Sequence, residues 1–119
     1  MNLPRSFSKL RGAINQAQSD LGSGVAEVLG GQCDDARGFF VRPTIIVADD
    51  PGYATMKTEL FGPVLTVHPY DDEAFEATLD ICDKTSPYAL TGAIFANERQ
   101  AVTRAVARLR SCAGNFYIN

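Results

Sequence analysis

The sequence predicts an α/β fold, a mostly parallel sheet with flanking helices. Three observations predict it. From Val64 onward, short apolar runs alternate with longer segments whose apolar residues recur at helical spacing. Near the N-terminus, apolar residues at intervals of three and four form one face of a helix. With 119 residues, 45% of them hydrophobic, the chain suits one domain with a buried core.

Phe7, Leu10, Ile14, Ala17 and Leu21 make that first helical face, with Ser6 placed as an N-cap and Gly22 as the stop. Its Arg and Lys residues fall on the opposite face, which reads as solvated. Val25 to Leu29 reads as a strand ending in Gly30-Gly31, and Gln32 to Gly38 as a polar turn. Phe39 to Val41 and Thr44 to Val47 read as strand, with Pro43 imposing an edge or an irregularity. Asp49-Asp50-Pro51-Gly52 is a turn, and Tyr53 to Leu60 holds a short helix. Val64 to His68 is a strand. Asp71, Asp72 and Glu73 then open a helix whose buried stripe is Phe75, Leu79 and Cys82. Leu90 to Ala96 is the next strand. Asn97 is placed as the cap of a helix, with Gln100 in the capping-box position and Ala101, Val102, Ala105, Val106 and Leu109 along one face. Asn115 to Ile118 is the last strand. The order after Pro63 predicts two consecutive right-handed βαβ units and three parallel strands.

The net charge of −3 and the absence of a basic cluster argue against a nucleic-acid surface or a polybasic membrane surface. No apolar run reaches bilayer length. Cys33, Cys82 and Cys112 are far apart and odd in number, and His68 is the single histidine. That pattern disfavours a zinc site and a disulfide framework and suits a reducing compartment. Met1 to Gln18 is basic and free of acids, like an organellar leader, but its regular apolar spacing favours an ordinary amphipathic helix. The expected location is cytoplasmic, with the mitochondrial matrix as the alternative.

One stretch combines chemistry with punctuation: Thr58-Glu59-Leu60-Phe61-Gly62-Pro63-Val64. On an extended backbone, Glu59 and Phe61 would project to the same side. A carboxylate accepts two hydroxyl hydrogen bonds, and a ring beside it can lie against a flat heterocycle. Alone, this pattern also fits plain turn chemistry before Gly62-Pro63.

Five stretches carry a wider resemblance: Leu29-Gly30-Gly31-Gln32-Cys33; Gly38 through Thr44; Glu59 through Val64; Tyr88 through Phe95; and Ala113-Gly114-Asn115-Phe116-Tyr117-Ile118-Asn119. Their order resembles the C-terminal part of the catalytic domain of NAD(P)-dependent aldehyde dehydrogenases. The last two look most like the branch that oxidises L-glutamate γ-semialdehyde, the 1-pyrroline-5-carboxylate dehydrogenases. The resemblance runs from about Arg5 to Asn119 and covers a minor part of the family's longer chain. It implies that Glu59 binds the ribose hydroxyls beside the nicotinamide of NAD, and that Phe61 lies against the nicotinamide. Ala89 stands where many relatives carry glycine, which puts the backbone there in question.

The resemblance further implies that residues 1–119 are part of a catalytic domain. The dinucleotide-binding domain, the catalytic cysteine segment and the C-terminal strands would lie elsewhere. The family needs a nucleophilic thiolate and a carboxylate base, and neither aligns with a residue here. No catalytic residue and no metal ligand is therefore assigned. The chain alone is expected to be inactive. In the parent, the partners implied are an aldehyde substrate and a second copy of the subunit. This chain would need complementary segments. The alternative is a stand-alone, non-catalytic module for binding or subunit interaction, which would have to cover its own sheet edges.

Overall fold

The structure is a computed structural model that describes residues 3–119. It divides into two compact units, with the boundary after Pro69. The first two residues of the leader-like stretch, Met1 and Asn2, lie outside the described residues.

In the first unit, α1 (Leu3–Ser19) buries Phe7, Leu10, Ile14 and Ala17, as the spacing requires. It packs on a three-stranded sheet made of β1 (Val25–Leu29), β4 (Thr44–Ala48) and β5 (Val64–Val67), in the order β1-β4-β5. The pair β1–β4 is antiparallel and β4–β5 is parallel. Thr44, Ile46 and Ala48 alternate inward along β4, while Ile45 is exposed. Ala17, Val25 and Ile46 form the core, with Val28, Tyr53 and Val64 against it. Between β1 and β4, β2 (Cys33–Asp34) and β3 (Phe40–Val41) form a small antiparallel hairpin. The two glycines after β1 are required by the backbone. Gly30 has φ +88, and a Cβ there would stand 2.4 Å from the Pro43 carbonyl oxygen. Gly31 has φ +85, and its N–H donates to Thr44 Oγ1 at 3.0 Å.

In the second unit, a 3₁₀ turn (Asp72–Ala74) leads into α3 (Phe75–Lys84), which is followed by β6 (Thr91–Ile94), α4 (Arg99–Leu109) and β7 (Asn115–Ile118). The strands β6 and β7 pair in parallel across α4, giving one βαβ unit. Leu79, Ile94, Ala105 and Leu109 form its core, joined by Phe75, Cys112 and Phe116. Arg104–Glu76 and Arg108–Asp80 ion pairs tie α4 to α3. Gly92 leaves room for the Phe116 ring, which a Cβ would meet at 2.5 Å.

The α/β class stands, and several local expectations change. Within the first unit β5 pairs in parallel with β4, a partner the sequence did not indicate, and within the second β6 pairs in parallel with β7, which gives one of the two expected βαβ units. Apolar runs report burial and not the identity of the neighbour. Ser6 is no cap, since α1 begins at Leu3. Asn97 is no cap either; Glu98 holds that position without a side-chain cap bond. Leu21 lies beyond the helix and is 51% exposed, because the chain turns at Gly22 (φ +76). Cys33-Asp34 is strand rather than turn, because Phe40-Val41 folds back on it. Cys82 and Val106 are exposed rather than buried. Ala89 needs no glycine: Phe61 and Asn119 are the only described non-glycine residues with positive φ.

Candidate functional site

The segment from Thr58 to Pro63 is strung between α2 (Ala54–Lys57) and β5. Thr58 ends α2 in extended geometry, and its N–H donates to Ala54 O. A hydrogen bond from Thr66 Oγ1 to Thr55 Oγ1, 2.7 Å long, ties β5 to α2. At the other end the Val64 N–H donates to Gly62 O (2.8 Å), and the Thr44 N–H donates to Pro63 O (2.9 Å), which opens the β4–β5 ladder. The loop is therefore short and anchored at both ends.

Glu59 and Phe61 are both exposed, the phenyl ring 78% so. The condition for a common direction fails at one of them. Phe61 has φ 55, in the left-handed region, so the backbone is not extended there. That conformation costs a non-glycine residue about 1–2 kcal/mol. Two contacts from α1 brace the segment. Lys9 Nζ donates to the Glu59 carbonyl oxygen at 2.6 Å. Leu10 fills the space over Gly62, where a Cβ would come within 2.6 Å of its methyls. The expectation that the basic face of α1 is merely solvated was therefore incomplete. Arg11 also stacks on Phe7 and pairs with Asp35 at 2.9 Å. Leu10 was placed on the buried face of the helix, but its contact with the loop and that of Lys9 could not be read in the sequence, because 50 residues separate Lys9 from Glu59.

Beside the loop is an open apolar hollow of about 330 Å³, walled by Ile45, Gly62, Pro63 and Leu65 among others. Leu65 is 59% exposed and opposes Ile45 across the parallel ladder. A carboxylate that accepts hydroxyl groups, an exposed ring and an adjacent apolar wall suit a sugar joined to a flat heterocycle.

The cysteines lie elsewhere. Desolvation around the sulfur pushes the Cys82 thiol up, although the residue as a whole is exposed. Burial, then the Asp83 charge, then Cys82 push the Cys112 thiol up. Cys33 is half-buried in the hairpin. His68 Nδ1 stands 2.9 Å from the Ala48 carbonyl, a contact within its own unit that orients the ring. Among the described residues, no group of three or more His, Cys, Asp or Glu is placed to hold a metal ion.

The aldehyde dehydrogenase family model matches residues 2–119. The chain belongs to the aldehyde dehydrogenase family. A relative from Dictyostelium discoideum named delta-1-pyrroline-5-carboxylate dehydrogenase, mitochondrial, is 50% identical over 114 residues, covering 96% of this chain and 20% of the relative. The human protein of that name is 42% identical over 115 residues, covering 97% and 20%. Among solved structures, the delta-pyrroline-5-carboxylate dehydrogenase of Mycobacterium tuberculosis bound with NAD superposes with a TM-score of 0.80 at 49% identity, covering 96% of this chain and 20% of that one. The chain thus spans about a fifth of the length of the relatives it matches. No described helix is long and apolar enough to cross a membrane.

Proposed function

We propose that this chain is part of the catalytic domain of an NAD-dependent aldehyde dehydrogenase. The intact enzyme would oxidise L-glutamate γ-semialdehyde to glutamate in proline breakdown. The observation that carries the reading is the braced loop that holds Glu59 and Phe61 out to solvent, in a chain up to 50% identical to relatives named delta-1-pyrroline-5-carboxylate dehydrogenase. Glu59 would hold the ribose hydroxyls and Phe61 would lie against the nicotinamide. Bound NAD would supply the hydride acceptor. The residues here bind and orient. The family resemblance implies that nucleophile and base lie in sequence outside this chain, and burial holds the Cys82 and Cys112 thiols towards the protonated form. The exposed apolar row on the first unit, with Leu29, Ile45 and Leu65 in register, supports a chain that packs against complementary segments. It weighs against a self-sufficient binding module. We place the parent in the cytoplasm as an oligomer. The mitochondrial matrix is the alternative that several relatives' names support.

Two measurements test this. The purified 119-residue chain should form no NADH from glutamate semialdehyde; steady NADH formation would overturn the assignment of the nucleophile elsewhere. A chimera in which this chain replaces the matching fifth of the Mycobacterium tuberculosis enzyme should turn over with NAD. In it, Glu59→Gln should weaken NAD binding about tenfold, because charge-assisted bonds are lost. Unchanged NAD affinity in that variant removes Glu59 from the site.

A further inference from the structure

We propose that α1 is the positioning element of the candidate cofactor loop, and that Lys9 and Leu10 are its two positioning residues. The consequence for catalysis rests on the nicotinamide reading above, while the mechanics rest on geometry alone. Lys9 and Leu10 are neighbours on a 17-residue helix whose stripe is buried in the first unit's core. They therefore move with the core and not with the loop. Lys9 holds the carbonyl of Glu59 at 2.6 Å, and Leu10 presses on Gly62. These two points lie three residues apart along the loop. Between them sit only Leu60 and Phe61, and Phe61 is the residue in left-handed geometry. A strained non-glycine conformation persists only where its surroundings over-determine it.

The two contacts act differently. Leu10 is 6% exposed, and a Cβ at position 62 would force its methyls to shift. It sets how close the loop approaches the helix. Lys9 is exposed, and its bond competes with water, but a charged donor to a carbonyl is stronger than a neutral one. It sets the orientation of the Glu59 peptide and hence the direction in which the carboxylate leaves the chain. A catalytic group displaced by about 1 Å can lose about a hundredfold in rate, so such bracing has functional weight.

The test has two arms. In the 119-residue chain, nitrogen-15 relaxation and the amide–α coupling of Phe61 report loop order and φ. Lys9→Met should loosen residues 59–62, and Lys9→Arg should restore them. Gly62→Ala should displace the loop, and adding Leu10→Ala should return it towards the wild-type coupling. In the chimera, Lys9→Met should raise the NAD KM about threefold to tenfold, with Lys9→Arg close to wild type and Glu59→Gln as control. If Glu59→Gln weakens NAD while Lys9→Met moves neither loop nor KM, the role of Lys9 is overturned and the cofactor reading stands. If Lys9→Met raises KM with the loop unmoved, Lys9 acts by direct contact and positioning is overturned. If Lys9→Met loosens the loop and neither variant affects NAD, the cofactor reading falls while the mechanical brace is upheld.

Discussion

Replacing Thr44 by valine removes one hydroxyl from the centre of the first unit and keeps the side chain's shape. Thr44 is 2% exposed. Its Oγ1 accepts from the Gly31 N–H at 3.0 Å and donates to Arg42 O at 2.9 Å. Thr44→Val deletes both bonds and strands the Gly31 amide inside a turn that its positive φ has already fixed. A hydrogen bond contributes about 1 kcal/mol net, and a stranded buried group costs about 1–3 kcal/mol. Gly31 is half-buried and Arg42 exposed, so water replaces part of what is lost and the cost is about 1–2 kcal/mol. Thr44→Ser keeps the hydroxyl and removes one methyl, a loss of about 1 kcal/mol. Urea unfolding followed by amide exchange at Ile46, the neighbouring core residue of β4, separates them. With a slope of about 2 kcal/mol/M, the valine midpoint should fall by about 0.5–1 M and the serine midpoint by about 0.5 M at most. A valine midpoint within about 0.2 M of wild type on that slope refutes the reasoning, as does a serine variant less stable than the valine one.

Gly30→Ala should be more damaging than an ordinary turn substitution, by more than about 1 kcal/mol, since its Cβ would overlap the Pro43 carbonyl at positive φ; thermal unfolding measures this. Tyr53 is pushed up to about 12 by desolvation, then by its hydrogen bond to Asp20 and the charge of that carboxylate. Its folded value exceeds the ordinary value of 10.0, so its contribution is complete below pH 10 and is lost as pH rises towards 12. Tyr53→Phe should flatten alkaline unfolding in that window, and an unchanged pH profile counts against the assignment. Cys82 and Cys112 should react with iodoacetamide more slowly at neutral pH than free cysteine and accelerate above pH 9.0, as read by mass spectrometry of alkylated peptides.

Much of the fold could be read in the chain because its period is local. Phe7, Leu10, Ile14 and Ala17 declare a buried helical stripe without reference to any partner. The run from Val64 to Val67 declares a strand, and Ala105 and Leu109 declare a second buried helical stripe. Partner choice was not legible. Nothing in the apolar character of β5 says that β4, which precedes it, is a parallel neighbour. The pair Cys33-Asp34 is too short and polar to announce a strand, and becomes one only through Val41 and Phe40 opposite. The two caps failed because Ser6 and Asn97 have the right chemistry one to three residues from where the backbone begins to coil. For the site, the residue types at Glu59 and Phe61 were visible. The left-handed turn at Phe61 was not, since propensity would place glycine or asparagine there. The brace from Lys9 depends on folding across 50 residues, and no short-range pattern records it.

The backbone of Phe61 sets two selection pressures against each other. Glycine at that position would relieve about 1 kcal/mol of conformational strain, and the ring is 78% exposed, so its packing contributes little. A screen that rewards thermal stability alone should therefore enrich Phe61→Gly. A screen that rewards turnover in the assembled enzyme should keep the aromatic and tolerate the lower melting point. Opposite outcomes from two libraries built on one codon would show which demand shaped this turn.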